Sequence, residues 1–237
     1  MLLLNAVVMM KKLFLIVFLV FILSCAQAKD FRYGIKQINN ANSEYNTTME
    51  TYPSSISDIN SMINDFENLR KLQLQKGQKP FEYAVGYRLL NLEAEKLFIE
   101  GQKYGNAGTT TDGFGCKQRP LIIESVKLRN SSALKGFEAV DLLWKFVEEY
   151  PEELKLTGLS IKNALFLNAT FYQISKDARS DSNIINHFCP ANETLEIYKQ
   201  SFRKPSFVER YNFSEGYINS LTYEEAARIW MEASGFK

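Results

Sequence analysis

The sequence predicts an all-α fold: an irregular single-domain bundle of about six to eight helices, tied by one disulfide. Three observations lead there. Apolar residues recur at three- and four-residue steps through most of the chain, as in helices with one buried face. No run alternates apolar and polar positions for long; Leu121-Ile122-Ile123 and Phe207-Val208 are too short to count as strands. Proline and glycine punctuate the periodic stretches, and no fixed-period repeat relates them.

Taken in order, residues 1–28 read as a cleaved signal peptide. From Met10 the chain has a basic start at Lys11 and Lys12, an apolar run from Leu13 to Leu23, and the small-residue site Ala26-Gln27-Ala28. The run is about eleven residues, against roughly twenty needed to cross a bilayer as a helix. Initiation at Met1, Met9 or Met10 stays open. Residues 29–53, rich in Asn39, Asn40, Asn42, Ser43 and Asn46, read as a flexible polar lead-in. The helical domain is placed at 54–237.

Its first helix begins near Ser55, which forms a capping box with Asp58. Ile59, Ile63, Phe66 and Leu69 define its apolar face, and Gly77 and Pro80 stop it. A second helix runs from Phe81 to Tyr104, its stripe widened by Leu90, Ala94 and Leu97, with Gly101 and Gly105 closing it. The glycine- and threonine-rich residues 105–115 form a loop that delivers the chain to Cys116. Pro120 opens a helix through Arg129. After Asn130-Ser131-Ser132, Leu134, Phe137, Val140, Trp144 and Val147 give the best amphipathic pattern of the chain, ending at Tyr150-Pro151. The pattern leaves open whether Leu121 to Tyr150 is one kinked helix or two. Gly158 separates Pro151–Leu156 from a helix over Leu159 to Ile174, and Asp177 to Ser182 reads as a polar break. Further helices are expected over Glu193 to Phe202 and after the capping box Thr222-x-x-Glu225.

The expected compartment is extracellular. Removing residues 1–28 discards Cys25 and leaves Cys116 and Cys189, an even pair for an oxidising environment. A Cys116–Cys189 bridge would close a loop of about seventy residues and contribute on the order of 4 kcal/mol in the chain-entropy model. N-glycosylation sequons fall at Asn46, Asn130, Asn168, Asn192 and Asn212. Asn130 and Asn192 are the best placed to face solvent, whereas Asn168 lies inside an apolar helical pattern. Ile22-Leu23-Ser24-Cys25 resembles a bacterial lipobox, which gives the alternative of a lipid anchor on Cys25.

About 209 residues after cleavage suffice for one core. The 17 Phe and 12 Tyr supply apolar surface to fill it. A net charge of +1, with both signs interspersed, gives no basic stripe for nucleic acid. No later apolar run reaches membrane-spanning length.

Catalytic signatures are missing. The single histidine, His187, sits two residues from Cys189, and with Cys116 the three lack the paired spacing of a zinc site. Neither catalytic residues nor metal ligands are therefore assigned, and no cofactor is expected. Glu148, Glu149, Glu152, Glu153 and Asp141 cluster around a helix end, as solvated acidic surface does. Residues 105–115 lack the lysine and hydroxyl of a phosphate loop. The aromatic residues Phe137, Trp144, Phe171, Tyr172 and Trp230 lie on helical faces and are candidates for lining an apolar ligand site. The leading expectation is a secreted, non-catalytic glycoprotein that binds an extracellular protein or glycan. The alternative is an extracellular carrier of a lipid or other apolar molecule, and a hydrolase with an unrecognised carboxylate site is third.

Overall fold

A computed structural model describes residues 31–74, 78–110, 113–114, 118–159, 161–189 and 228. Among them are six helices: α1 (31–44), α2 (Ile56–Leu74), α3 (Lys79–Gly108), α4 (Arg119–Glu149), α5 (Pro151–Leu156) and α6 (Ile161–Phe188). A two-residue antiparallel pair, β1 (Thr109–Thr110) with β2 (Gly113–Phe114), links α3 to α4. The protein is thus predominantly helical. No described helix is long and apolar enough to cross a membrane. The helix expected at 193–202 lies outside the described residues, and of the one expected after Thr222 only Arg228 is described, in helical conformation.

Helix α2 starts as its capping box dictates. The Asp58 amide donates to Ser55 Oγ at 3.0 Å, and the Ser55 hydroxyl donates to Asp58 Oδ2 at 2.7 Å. Ile59, Met62 and Phe66 are buried against α3, with Ile63 and Leu69 packed at the edge.

The lead-in expected to be loose is instead structural. Residues 31–44 are helical, and Phe31, Ile35, Ile38 and Ala41 are buried at steps of four, three and three residues. Gly34 lies so close to Phe81 that a Cβ there would stand 2.5 Å from the ring. The asparagines that gave the segment its polar composition lie mainly on the opposite face; Asn39 and Asn40 are exposed.

Helix α4 is central and packs antiparallel against α3 on one side and α6 on the other. Pro120 stands in its first turn, and it runs unbroken through Asn130-Ser131-Ser132. Toward α3 it presents Ser125, Ser132, Ala139 and Phe146, one residue every two turns. Gly101 and Gly105, expected as helix stops, lie inside α3 and face this row. A Cβ at Gly101 would stand 3.2 Å from the Ser125 carbonyl oxygen, and one at Gly105 would stand 2.9 Å from Ser125 Oγ. The glycines allow close backbone approach rather than ending the helix. Ser132 Oγ donates to the Ala94 carbonyl at 2.7 Å across the same seam.

Toward α6 the match is equally regular. Ala164, Asn168, Phe171, Ser175, Ala178, Ser182 and Ile185 are all buried, spaced by alternating steps of four and three. Ile185 and Ala178 pack with Ile122 and Val126 near one end of α4. Phe171 fills the space left by Gly136 and meets Phe137 edge-on, ring centroids 6.5 Å apart. The polar stretch Asp177 to Ser182 is therefore no break: Ala178 and Ser182 are seam residues, and Asp181 on the outer side pairs with Arg129. Gly158, at φ +78°, makes the turn between α5 and α6.

Candidate functional site

Because α3 and α6 both flank α4, a trough remains between them. It forms a cleft of about 510 Å³ with Ser132 of α4 among its lining residues. Helix α6 lines it from Asn163 to Asp177, a span of about 21 Å at 1.5 Å per residue. Tyr87, Glu95 and Phe98 come from α3, and Glu50, Thr51 and Tyr52 from the connection between α1 and α2. Phe166, Leu167, Phe171 and Ile174 give the α6 wall its apolar character. Phe166 is 54% exposed, an unusual position for phenylalanine and one consistent with a place at the rim.

The connection is held in place by a buried cation. Arg88 of α3, 0% exposed, donates to the Thr51 carbonyl at 2.7 Å and to the Met49 carbonyl and Thr47 Oγ1 at 3.4 Å. Its guanidinium carbon lies 5.4 Å from the Tyr52 ring centroid. Burial lowers its pKa to about 10, which still leaves it charged at neutral pH. Arg88 does not line the cleft, so it serves as a clamp beneath it. Asn163 of α6 reaches the same connection, donating to Glu50 Oε1 at 2.8 Å.

Among the described residues, charge in the lining is of one sign: Glu50, Glu95 and Asp177, with no lysine, arginine or histidine. Burial raises the Glu95 carboxyl above its usual range, and burial is also the main cause raising Asp177. Asp177 accepts from Gln173 Nε2 at 2.6 Å, whereas Glu95 has neither an ion pair nor a side-chain hydrogen bond among the described residues. The two carboxylates stand at one level. Ser132 bonds Ala94 on α3, Gly136 faces Phe171 on α6, and both neighbours run antiparallel to α4. Glu95 therefore lies about one turn beyond Phe171, beside Ile174–Asp177. Burial also pushes the phenols of Tyr52 and Tyr87 up, so both rings stay neutral at physiological pH.

Of the aromatic residues expected to line an apolar site, Phe171 does. Phe137, Trp144 and Tyr172 are buried but do not line the cleft, and Trp230 lies outside the described residues. Periodicity marks the inward face of a helix without telling whether two such faces meet or leave a trough. The lining residues Tyr52, Glu95, Phe98, Phe166 and Asp177 were missed. The available signal was Glu95 beside the apolar positions Ala94, Leu97 and Phe98, a carboxylate at the margin of a wide stripe.

Other predicted positions fall elsewhere. Asn46 is exposed with φ 53°, while Asn130 is 6% and Asn168 1% exposed. The interruption expected at Asn130 is absent: α4 continues through it, with Asn130 buried next to the exposed Ser131. Cys116, Asn192 and Asn212 lie outside the described residues, and Cys189 is buried just after α6. His187 is exposed and meets the Phe188 ring edge-on. Around the α4–α5 junction, Glu149 accepts from the Tyr83 hydroxyl at 2.9 Å and Glu152 pairs with Lys155 at 2.6 Å. Among the described residues no three His, Cys, Asp or Glu side chains are grouped to hold a metal ion.

No family model, curated protein or solved structure matches this chain.

Proposed function

We propose that this is a secreted glycoprotein that binds a small apolar or amphiphilic molecule in the cleft between α3 and α6 without transforming it. Of the two binding roles the sequence left open, the carrier is the one favoured by a specific observation. That observation is the 510 Å³ cleft with aromatic walls, within the size range of small-molecule sites. The role of the clamp at Arg88 is to keep the Thr51–Tyr52 wall in place while the site is empty.

Secretion, the bridge and the glycans belong to the same proposal. Cleavage after Ala28 frees a chain starting at Lys29. Cys189 follows Ile185 by one turn, and Ile185 packs on Ile122 in the opening turns of α4. Cys116 lies three residues before Arg119 in sequence, so bridging it to Cys189 would tie the start of α4 to the end of α6. The exposed Asn46 is the proposed glycan carrier among the described sequons.

Native mass spectrometry of the protein secreted from eukaryotic cells, with N-glycans removed enzymatically, tests the reading. A reproducible excess mass that is lost on denaturation supports the carrier. A bare polypeptide that also fails to take up neutral naphthylamine probes overturns it and returns the search to macromolecular partners.

A further inference from the structure

We infer that the cleft selects an amphiphile with a cationic head, a long-chain or aromatic amine, whose ammonium group is held by Glu95 and Asp177. The inference deepens the carrier reading and rests on it. Its motivation is how charge and aromatic surface are distributed. Among the described lining residues every charged side chain is a carboxylate. Arg88 is committed to the carbonyls of the α1–α2 connection, and Arg129 and Lys176, whose charges reach Asp177, do not line the cleft.

An anionic head beside Glu95 and Asp177 would meet two carboxylates and no cation among the described lining residues, so fatty acids are disfavoured there by like-charge repulsion. A neutral apolar ligand would leave Glu95 desolvated and without a partner, which costs more as the cleft closes over it. An organic cation resolves both conditions. Its charge compensates Glu95 where the protein supplies no partner, and a ring such as Phe98, on the same stretch of α3, offers a face for cation–π attraction. Phe171 and Phe166, about two and three turns back along α6 from Asp177, receive the apolar body. Head and body are thereby assigned to opposite ends of a trough that spans about 21 Å of helix.

The test uses the full secreted protein and three probes with the same tail: dodecylammonium, dodecanol and dodecanoate. Each is titrated calorimetrically at neutral pH, the two ions below their micelle concentrations and dodecanol below its solubility limit. Dodecylammonium is expected to bind about tenfold tighter than dodecanol, as one charge-assisted contact would give, with dodecanoate weakest. Glu95→Gln is expected to bring the dodecylammonium and dodecanol affinities together, and Asp177→Asn to narrow the same gap. Both variants are checked for an intact thermal transition. Equal binding of the three probes, tighter dodecanoate, or a gap that survives in both variants would overturn the cationic preference while leaving an apolar cleft. Binding of none of them would overturn the carrier reading itself.

Discussion

At the scale of single residues, one buried and one half-buried charge dominate, Arg88 and Glu95, and they behave oppositely. Arg88 is stabilised by carbonyl oxygens and the Tyr52 ring, with no counter-ion among the described residues. Arg88→Ala would leave the Thr51 and Met49 carbonyls without that donor and is expected to cost about 3 kcal/mol, read by chemical denaturation. Arg88→Lys keeps the charge but not the planar fork, and should recover only part of the loss. Glu95 has no such support. Burial raises its folded-state pKa, so the folded protein holds the proton more tightly than the unfolded chain does. Its stabilising contribution is therefore full below the unfolded carboxylate pKa and is lost as pH rises through the folded one; Asp177 adds in the same direction. Glu95→Gln should thus melt higher than the parent at neutral pH, with the difference vanishing on acidification. A difference that grows toward low pH would contradict this assignment. The Ser55–Asp58 cap was legible in the sequence because it is local, four residues in a row. Arg88 was not, because its partners lie 37 to 41 residues away and an arginine in an apolar stripe carries no mark of its destination.

At the scale of elements, the helices meet through small residues. Gly136 accommodates the Phe171 ring, and a Cβ there would overlap it. Gly136→Ala should lose about 1–3 kcal/mol by overpacking, more than the ~1 kcal/mol that alanine gains in helix propensity. Asn168 occupies the same seam with both amide atoms buried and no hydrogen-bond partner among the described residues. Asn168→Leu is expected to raise stability by about 1 kcal/mol, measured as an upward shift of the thermal midpoint. These seams explain what the sequence concealed. Reading polar residues as breaks works where they face water, but Ser132, Ser175 and Ser182 are small enough to sit between helices. The glycines of α3 look like punctuation for a similar reason: helix stops and close-approach positions use the same residue. What distinguishes them is spacing. The steps of four and three through Asn168, Phe171, Ser175, Ala178, Ser182 and Ile185 were present in the sequence all along.

At the scale of the whole molecule, the all-α class was legible because most apolar positions repeat at helical spacing over long windows, and helices need no distant partner to be recognised. The cleft was not, since it is lined from four separate parts of the chain: the α1–α2 connection, α3, α4 and α6. The proposed Cys116–Cys189 bridge would act at this scale. Non-reducing peptide mapping should recover the two cysteines as one linked pair, and reduction should lower stability by up to about 4 kcal/mol. Glycopeptide mapping should find Asn46 occupied and Asn130 and Asn168 bare, because only the first faces solvent.

The seam along α6 also sets how the chain tolerates changes of length. Deleting one residue near Thr170 would rotate everything downstream by about 100° about the helix axis. Ser175, Ala178, Ser182 and Ile185 would all leave the surface of α4 together, and Asp181 would lose Arg129. Deleting seven would restore the facing positions to within about 20° and shorten the helix by roughly 10 Å. Gene variants of this segment should therefore survive in steps of seven residues and fail in steps of one or two.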